Sequence, residues 1–282
     1  MQADSIQVRV VTDGSFLLDG GSVFGQVPRV IWEKEAKPDR KNRVRLGLNT
    51  LLVQAPEHNI LIDTGMGSKD PEITREVYGL SRSKLLRDLK VQGNGLTARD
   101  IDMVVLSHLH FDHVGGAIRL DRLGQKIPTF PNAKYIIQKN SWEEAMAPNE
   151  RAWPHFSLTR DVLDVLSASG QVELIDGDTE IIPGVQTRVT DGHCAGHQSV
   201  FINTGGERVA YLGDLVPTAS HVTLSYITAF DKRPDATLEQ KREYLNYIEK
   251  DGWLMVFAHG YEHRAGYLER WGGSLNLRPV SV

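Results

Sequence analysis

Ser107-His108-Leu109-His110-Phe111-Asp112-His113 places three imidazoles and a carboxylate within six residues, directly behind the apolar run Ile101-Asp102-Met103-Val104-Val105-Leu106. That run is short, β-branched and bounded by turn signals, so it reads as a buried strand. Val114-Gly115-Gly116-Ala117-Ile118 then predicts a turn feeding a short helix. Side chains at i, i+2, i+4 and i+5 do not share one face of a helix or of a strand. A tight loop at the C-terminal end of a strand turns all four inward, around two neighbouring metal ions. The competing reading is a histidine-rich surface turn. It leaves the fixed offsets and the accompanying Asp unexplained, so the metal reading organises the rest of the chain.

The 282 residues can bury a substantial core, and 40% hydrophobic with 24% charged residues is ordinary for a soluble globular protein. Net charge is −4 with no run of Lys or Arg, so neither nucleic acid nor an anionic membrane is an expected partner. The single cysteine, Cys194, forms no intramolecular disulfide and no Cys-based zinc site. Any metal here must be held by His, Asp or Glu. Met1-Gln2-Ala3-Asp4-Ser5 shows neither a basic nor an apolar leader segment, and no stretch approaches the roughly 20 apolar residues of a membrane span. A cytoplasmic enzyme is the expectation, although a chain with its leader already removed would look the same.

Alternating or apolar segments predict strands over residues 6–11, 46–53, 59–62, 135–138, 172–175, 185–189, 199–203 and 208–212, with 253–257 as the last. Ser81 as N-cap and the stripe Leu85, Leu86, Leu89 predict a helix ended by Gly93. Ser157 caps a second, through Val162, Leu163 and Leu166. Thr237-Leu238-Glu239-Gln240 has capping-box spacing and opens a third. Residues 24–32 and 147–156 read as aromatic loops, each either a pocket wall or a packed connection. The order, strands then helix and again strands then helix, suggests one α/β domain, residues 1–282, with helices covering sheets.

Further candidate ligands stand at other strand ends: His193 and His197 in Asp191-Gly192-His193-Cys194-Ala195-Gly196-His197, Asp214 in Tyr211-Leu212-Gly213-Asp214, and His259 in Phe257-Ala258-His259-Gly260. Glycine beside each lets the backbone turn sharply while the side chain points inward. Asp63, in Asp63-Thr64-Gly65-Met66-Gly67, taken alone is a turn cap.

Together these motifs, in this order and spacing over residues 46–260, resemble the metallo-β-lactamase-fold hydrolase superfamily. The resemblance implies a four-layer αββα sandwich with the metal site on one edge between two sheets. It implies His108, His110 and His193 on one metal, Asp112, His113 and His259 on the other, and Asp214 bridging. Asp63 and His197 then become hydrogen-bonding supports behind the ligands. Imidazole and carboxylate without thiolate suit two zinc ions, with iron, manganese or cobalt as alternatives. Di-iron redox relatives carry Glu where this chain has His110, which favours hydrolysis.

The expected chemistry is attack by a metal-shared hydroxide held near Asp112 on a carbonyl or phosphoryl centre, with Asp214 carrying a proton to the leaving group. The substrate is expected to be a small, partly apolar ester-type molecule: a lactone, carboxylic ester or phosphotriester. The alternatives are a thioester hydrolase and a mononuclear-iron persulfide dioxygenase. Only residues 261–282 follow His259, too few for the helical domain of glyoxalase II-type thioesterases. Acyl-homoserine lactonases of this fold carry Tyr three residues after the bridging Asp, whereas Pro217 stands here and cannot donate. His221 or Tyr226 supplies a donor instead, or else His221 merely closes a loop. Phe24, Trp32, Trp153 and Phe156 are the candidate walls of an apolar pocket.

Overall fold

In the computed structural model, which describes residues 6–69, 72–80 and 82–282 apart from the side chains of Ile73, Thr74 and Pro154, the period-two segments form two stacked sheets. Strands β1 (Gln7–Asp19), β2 (Arg43–Gln54) and β3 (Asn59–Ile62) pair antiparallel. Strand β4 (Met103–Val105) joins β3 in parallel, and a small separate hairpin, β5 (Ile118–Leu120) with β6 (Lys126–Pro128), follows it. Strands β7 (Lys134–Gln138) and β8 (Val172–Ile175) complete a six-stranded sheet in the order β1-β2-β3-β4-β7-β8. The second sheet has seven strands: β9 (Thr179–Ile182), β10 (Val185–Val189), β11 (Gln198–Asn203), β12 (Arg208–Tyr211), β13 (Leu254–Val256), β14 (Ala265–Trp271) and β15 (Ser274–Val280). Only β12 and β13 run parallel in it, joined by an outer helix as a parallel pair requires.

Pleating explains the layers. Leu51, Val53, Ile60 and Ile62 face Val200, Ile202, Val209 and Val256 between the sheets. Their sequence neighbours Leu52 and Leu61 point the other way. There they meet Leu85 and Leu89 of a helix over Leu85–Gln92, with two further helices, Lys139–Met146 and Arg160–Ser169, packed alongside. On the far side Phe201, Ala210 and Met255 pack under Tyr244, Leu245 and Ile248 of the long helix Pro234–Asp251. The four-layer αββα order is therefore as expected. A fourth apolar cluster, with Phe16, Phe24, Trp32, Leu48 and Phe111, closes one edge of the sandwich.

Several local expectations fail for physical reasons. The strand over 254–256 is not the last: Ala265–Trp271 and Ser274–Val280 form a hairpin around Gly272 (φ 59°) and Gly273 (φ 81°), a turn that favours glycine at both positions. The strand Thr179–Ile182 was not anticipated either. Thr237 does not cap the long helix, which starts a turn earlier with Pro234 in its first turn; Thr237 is buried inside it, against Gly192. The helix attributed to Ser157 starts after Thr159. Ser81 lies outside the described residues. Residues 24–32 are largely helical, in short turns over Gly20–Phe24 and Arg29–Trp32.

Candidate metal centre

The strand-end loop of β4 does not carry all four of its polar side chains as a loop. Phe111–Val114 is a single helical turn, so Asp112 and His113 project from a helix start while His108 and His110 come from the extended segment before it. Gly115–Ala117 then form the predicted turn, but it feeds the strand Ile118–Leu120 and not a helix, since the helical turn comes before the glycines. A Cβ on Gly116 would lie 2.1 Å from the Thr64 carbonyl oxygen, and one on Gly115 would lie 2.4 Å from that of Met66. Glycine there allows the loop after β3 to lie flat against the helical turn, and Thr64 N–H and Oγ1–H both donate to the His113 carbonyl (2.7 and 2.9 Å).

The strand ends after β3, β4, β10, β12 and β13 meet at one edge between the sheets. His108, His110, His193 and Asp214 present ligand atoms within 4.8 Å of one another, and so do Asp112, His113 and His259; all seven are buried. Asp214 stands between the groups. Its Oδ2 lies 3.2 Å from His193 Nε2 and 3.9 Å from His108 Nε2. Its Oδ1 lies 3.2 Å from both His113 Nε2 and His259 Nε2. His110 faces the first group through Nδ1, 3.1 Å from His193 Nε2. Asp112 Oδ2 is 3.5 Å from His259 Nε2. Ligand atoms about 2 Å from one tetrahedral ion stand about 3.4 Å apart, so both groups have the spacing of an ion's donors. The buried His108 Nε2 and Asp214 Oδ1 have no hydrogen-bond partner in the protein, an arrangement that burial penalises unless a cation completes it.

Hydrogen bonds behind the ligands fix which nitrogen faces inward. His113 Nδ1–H donates to Asp63 Oδ2 (2.8 Å), and His259 Nδ1–H donates to the Gly47 carbonyl (2.9 Å). His108 Nδ1 is 3.1 Å from Ser107 Oγ. Asp63 also accepts from Ser107 N–H, Ser107 Oγ–H and the Tyr211 hydroxyl (2.7, 2.7 and 2.8 Å). It adopts φ 60°, a left-handed conformation that Asp tolerates, and its carboxylate is taken up by these side-chain and loop donors, which makes it a support of His113 and not merely a turn cap. His197 Nε2 accepts from the Asp214 backbone N–H (3.0 Å), while its Nδ1–H donates to Thr190 Oγ1 (2.7 Å).

The electrostatics sort the imidazoles. Burial, reinforced by neighbouring histidines, holds His108 and His110 well below the ordinary histidine pKa, in the neutral form that ligates metals. Burial acts the same way on His113 but is outweighed by Asp214, Asp63 and Asp112, which raise it. Asp214 is pushed up by burial and, more strongly, down by His113, His259 and His193. Burial, with His193 beside it, takes His197 down to about 3, so it stays neutral.

Sequence reasoning missed Asp231. His193 Nδ1–H donates to Asp231 Oδ1 (2.8 Å), whose other oxygen accepts Thr228 N–H (3.1 Å). The motif at 191–197 carried no sign of it, because Asp231 lies 38 residues on, in an irregular segment. Asp13 was missed too: it accepts from Met66 and Gly67 N–H (3.1 and 2.8 Å) and from Lys84 and Leu85 N–H, tying the Asp63 loop to the start of the helix Leu85–Gln92.

A cavity of about 200 Å³ opens onto the ligands, walled by Leu18, Val23, Leu46, Tyr78, Phe111, His155 and Phe230. Its aromatic walls are not those expected. Phe24 and Trp32 stack on each other at 5.1 Å and are buried behind the wall, Trp153 is 55% exposed, and Phe156 is buried against His110. Aromatic composition alone does not say which face of a short helix turns inward. His221 does not line the cavity either: it is buried, its Nε2–H donates to the Val23 carbonyl (3.0 Å) and its Nδ1 accepts from Thr218 Oγ1 (2.7 Å). Tyr226 stands behind it, edge-on to Phe24. Pro217 does line the cavity.

The metallo-beta-lactamase superfamily pattern matches residues 44–259, and the chain belongs to that superfamily. It is 31% identical over 247 residues to an N-acyl homoserine lactonase of Bacillus cereus, covering 80% of this chain and 86% of that protein. It is 27% identical over 229 residues to a Bacillus thuringiensis lactonase of the same description, covering 75% and 80%. Among solved structures, a probable metal-dependent hydrolase from Staphylococcus aureus superposes with a TM-score of 0.87 at 28% identity, with both chains fully covered. A dizinc quorum-quenching lactonase shares the fold at a TM-score of 0.80 and 20% identity.

Proposed function

We propose that this protein is a dinuclear metal-dependent hydrolase that opens an ester-type bond in a small, partly apolar molecule, with lactones the first class to test. The observation that carries the reading is the split of Asp214, one oxygen toward each histidine group. In this reading His108, His110 and His193 would hold one ion and Asp112, His113 and His259 the other, with Asp214 shared between the two groups. Zinc suits the imidazole–carboxylate set. Two divalent ions bound there would lower the pKa of water and stabilise charge developing on oxygen. Asp112 would hold the attacking water through a carboxylate oxygen, and Asp214 would take the proton that water gives up as it attacks and pass it to the leaving oxygen. The buried Phe111 and Leu46 and the half-buried Phe230 would exclude bulk water and take the apolar part of the substrate. Asp63, His197 and Asp231 orient the ligands.

The lactonase relatives support the lactone assignment, while Pro217 removes the donor that the family resemblance leads one to expect. The complete Asp112–His113–His259 group favours two ions over a mononuclear iron site. No helix among the described residues is long and apolar enough to cross a membrane. The test is a hydrolysis screen of the metal-reconstituted protein against acyl lactones, aryl esters, thioesters and phosphotriesters by pH-stat. Turnover of lactones or aryl esters that is abolished by a chelator supports the reading. Turnover of none of the four classes refutes it.

A further inference from the structure

The cavity needs a protein donor of its own. Polar side chains on its lining that are not in the two ligand groups are Tyr78, His155, Thr218 and Thr228. The Thr218 hydroxyl is committed to His221 Nδ1 (2.7 Å), whereas the Thr228 oxygen accepts Phe230 N–H (3.2 Å), which holds the short hydroxyl against its own loop rather than beside the His108–His110–His193 group. Tyr78 lies over Phe111, on the Asp112 side, with ring centroids 5.0 Å apart. His155, on the helical turn Trp153–Phe156, lies on the other side: its ring is 4.9 Å from that of His110 and meets Phe230 edge-on at 5.4 Å. The ring is held on two sides by ring contacts, yet neither nitrogen hydrogen-bonds to the protein among the described residues. A half-buried imidazole with both nitrogens free of protein partners, fixed beside one ligand group and lining the cavity, is placed to donate to a molecule bound there.

We propose that His155 donates a hydrogen bond to the substrate oxygen on which negative charge builds beside the His108–His110–His193 group. This deepens the proposed function and rests on it. The neutral imidazole has one N–H, and that suffices: the contact strengthens as charge grows on the oxygen and involves no transfer of the proton. Tyr78 is left to pack against Phe111, and Pro217 contributes only shape. The claim also predicts that His155 contacts the carboxylate a hydrolysed ester leaves behind, so binding reads it without turnover.

The experiment compares wild type, His155→Phe and His155→Gln, all metal-reconstituted, by metal content, steady-state kinetics on the best ester of the screen, and affinity for hexanoate measured calorimetrically. Phe keeps the ring packing against His110 and Phe230; Gln restores an N–H donor. The expected result is full metal content in both variants and a kcat loss of about 10²-fold in His155→Phe, the scale of a lost oxyanion donor. Hexanoate binding should weaken in His155→Phe, and Gln should recover most of both losses. The proposal is overturned if His155→Phe keeps wild-type kcat and hexanoate affinity with both ions bound. It is equally overturned if Gln is as impaired as Phe, or if His155→Phe loses an ion, since each would make the residue a packing or metal-supporting group. A wild type that hydrolyses no ester but loses hexanoate binding on His155→Phe would sink the proposed function and leave this contact standing.

Discussion

Replacing Asp231 by Asn should weaken one metal ion and spare the other. Asp231 is buried and reaches His193 Nδ1 at 2.8 Å with one oxygen and Thr228 N–H at 3.1 Å with the other. Asn keeps the shape and one acceptor but loses the charge that orients the imidazole. A hydrogen bond to a charged group is worth about 1.5–3 kcal/mol, which at about 1.4 kcal/mol per decade is roughly 10–100-fold in affinity, the range found for groups that support metal ligands. The loss should fall on the ion of His108, His110 and His193. Asp63→Asn is the mirror experiment: Asn tolerates the left-handed backbone at φ 60°, and the loss should move to the ion of His113 and His259. Competition with a chelator, resolving two binding constants, reads both variants. If both variants weaken the same ion, or if Asp231→Asn leaves both constants unchanged, the assignment of ligands to two groups is wrong.

Other consequences are shorter to state. Asp214→Ala removes the carboxylate shared by both groups and should abolish turnover together with binding of at least one ion, measured by elemental analysis. Gly116→Ala would drive a Cβ to 2.1 Å from the Thr64 carbonyl oxygen; an overpacking cost of about 1–3 kcal/mol should appear in urea unfolding, with weaker metal binding because the Asp63 loop is displaced. His221 is held near a pKa of about 3, chiefly by burial and secondarily by Lys241. Its unfolded value is about 6.5, so between these values only the unfolded chain takes the proton. Stability should fall as pH drops below about 6.5, by up to about 1.4 kcal/mol per unit from this residue. His221→Gln should remove that share of the slope in unfolding measured from pH 7 to 5, and an unchanged slope would contradict the buried neutral assignment.

What the chain discloses before folding depends on whether a feature is local. Asp112 and His113 were legible because six residues carry four of the seven ligand candidates, and His193, Asp214 and His259 because glycine marks each strand end. Asp231 was not, since an aspartate in an irregular segment gives no local sign that a histidine 38 residues earlier will meet it. Tyr211 stands three residues before Asp214, yet only stacking of the two sheets brings its hydroxyl to Asp63. The 265–280 hairpin is legible in the alternation around Gly272-Gly273, beyond the last ligand. Phe24 and Trp153 misled because apolar character predicts burial without direction: one packs behind the cavity wall and the other faces solvent. His221 misled for the opposite reason, a polar residue consumed by two hydrogen bonds inside the fold.

The central claim is that two ions, joined through Asp214, are both needed for hydrolysis. Zinc titrated into chelator-stripped protein while ester or lactone turnover is followed tests it most directly. The account predicts little activity up to one equivalent, with turnover rising to a break at two equivalents per chain. Full turnover at one equivalent would contradict it.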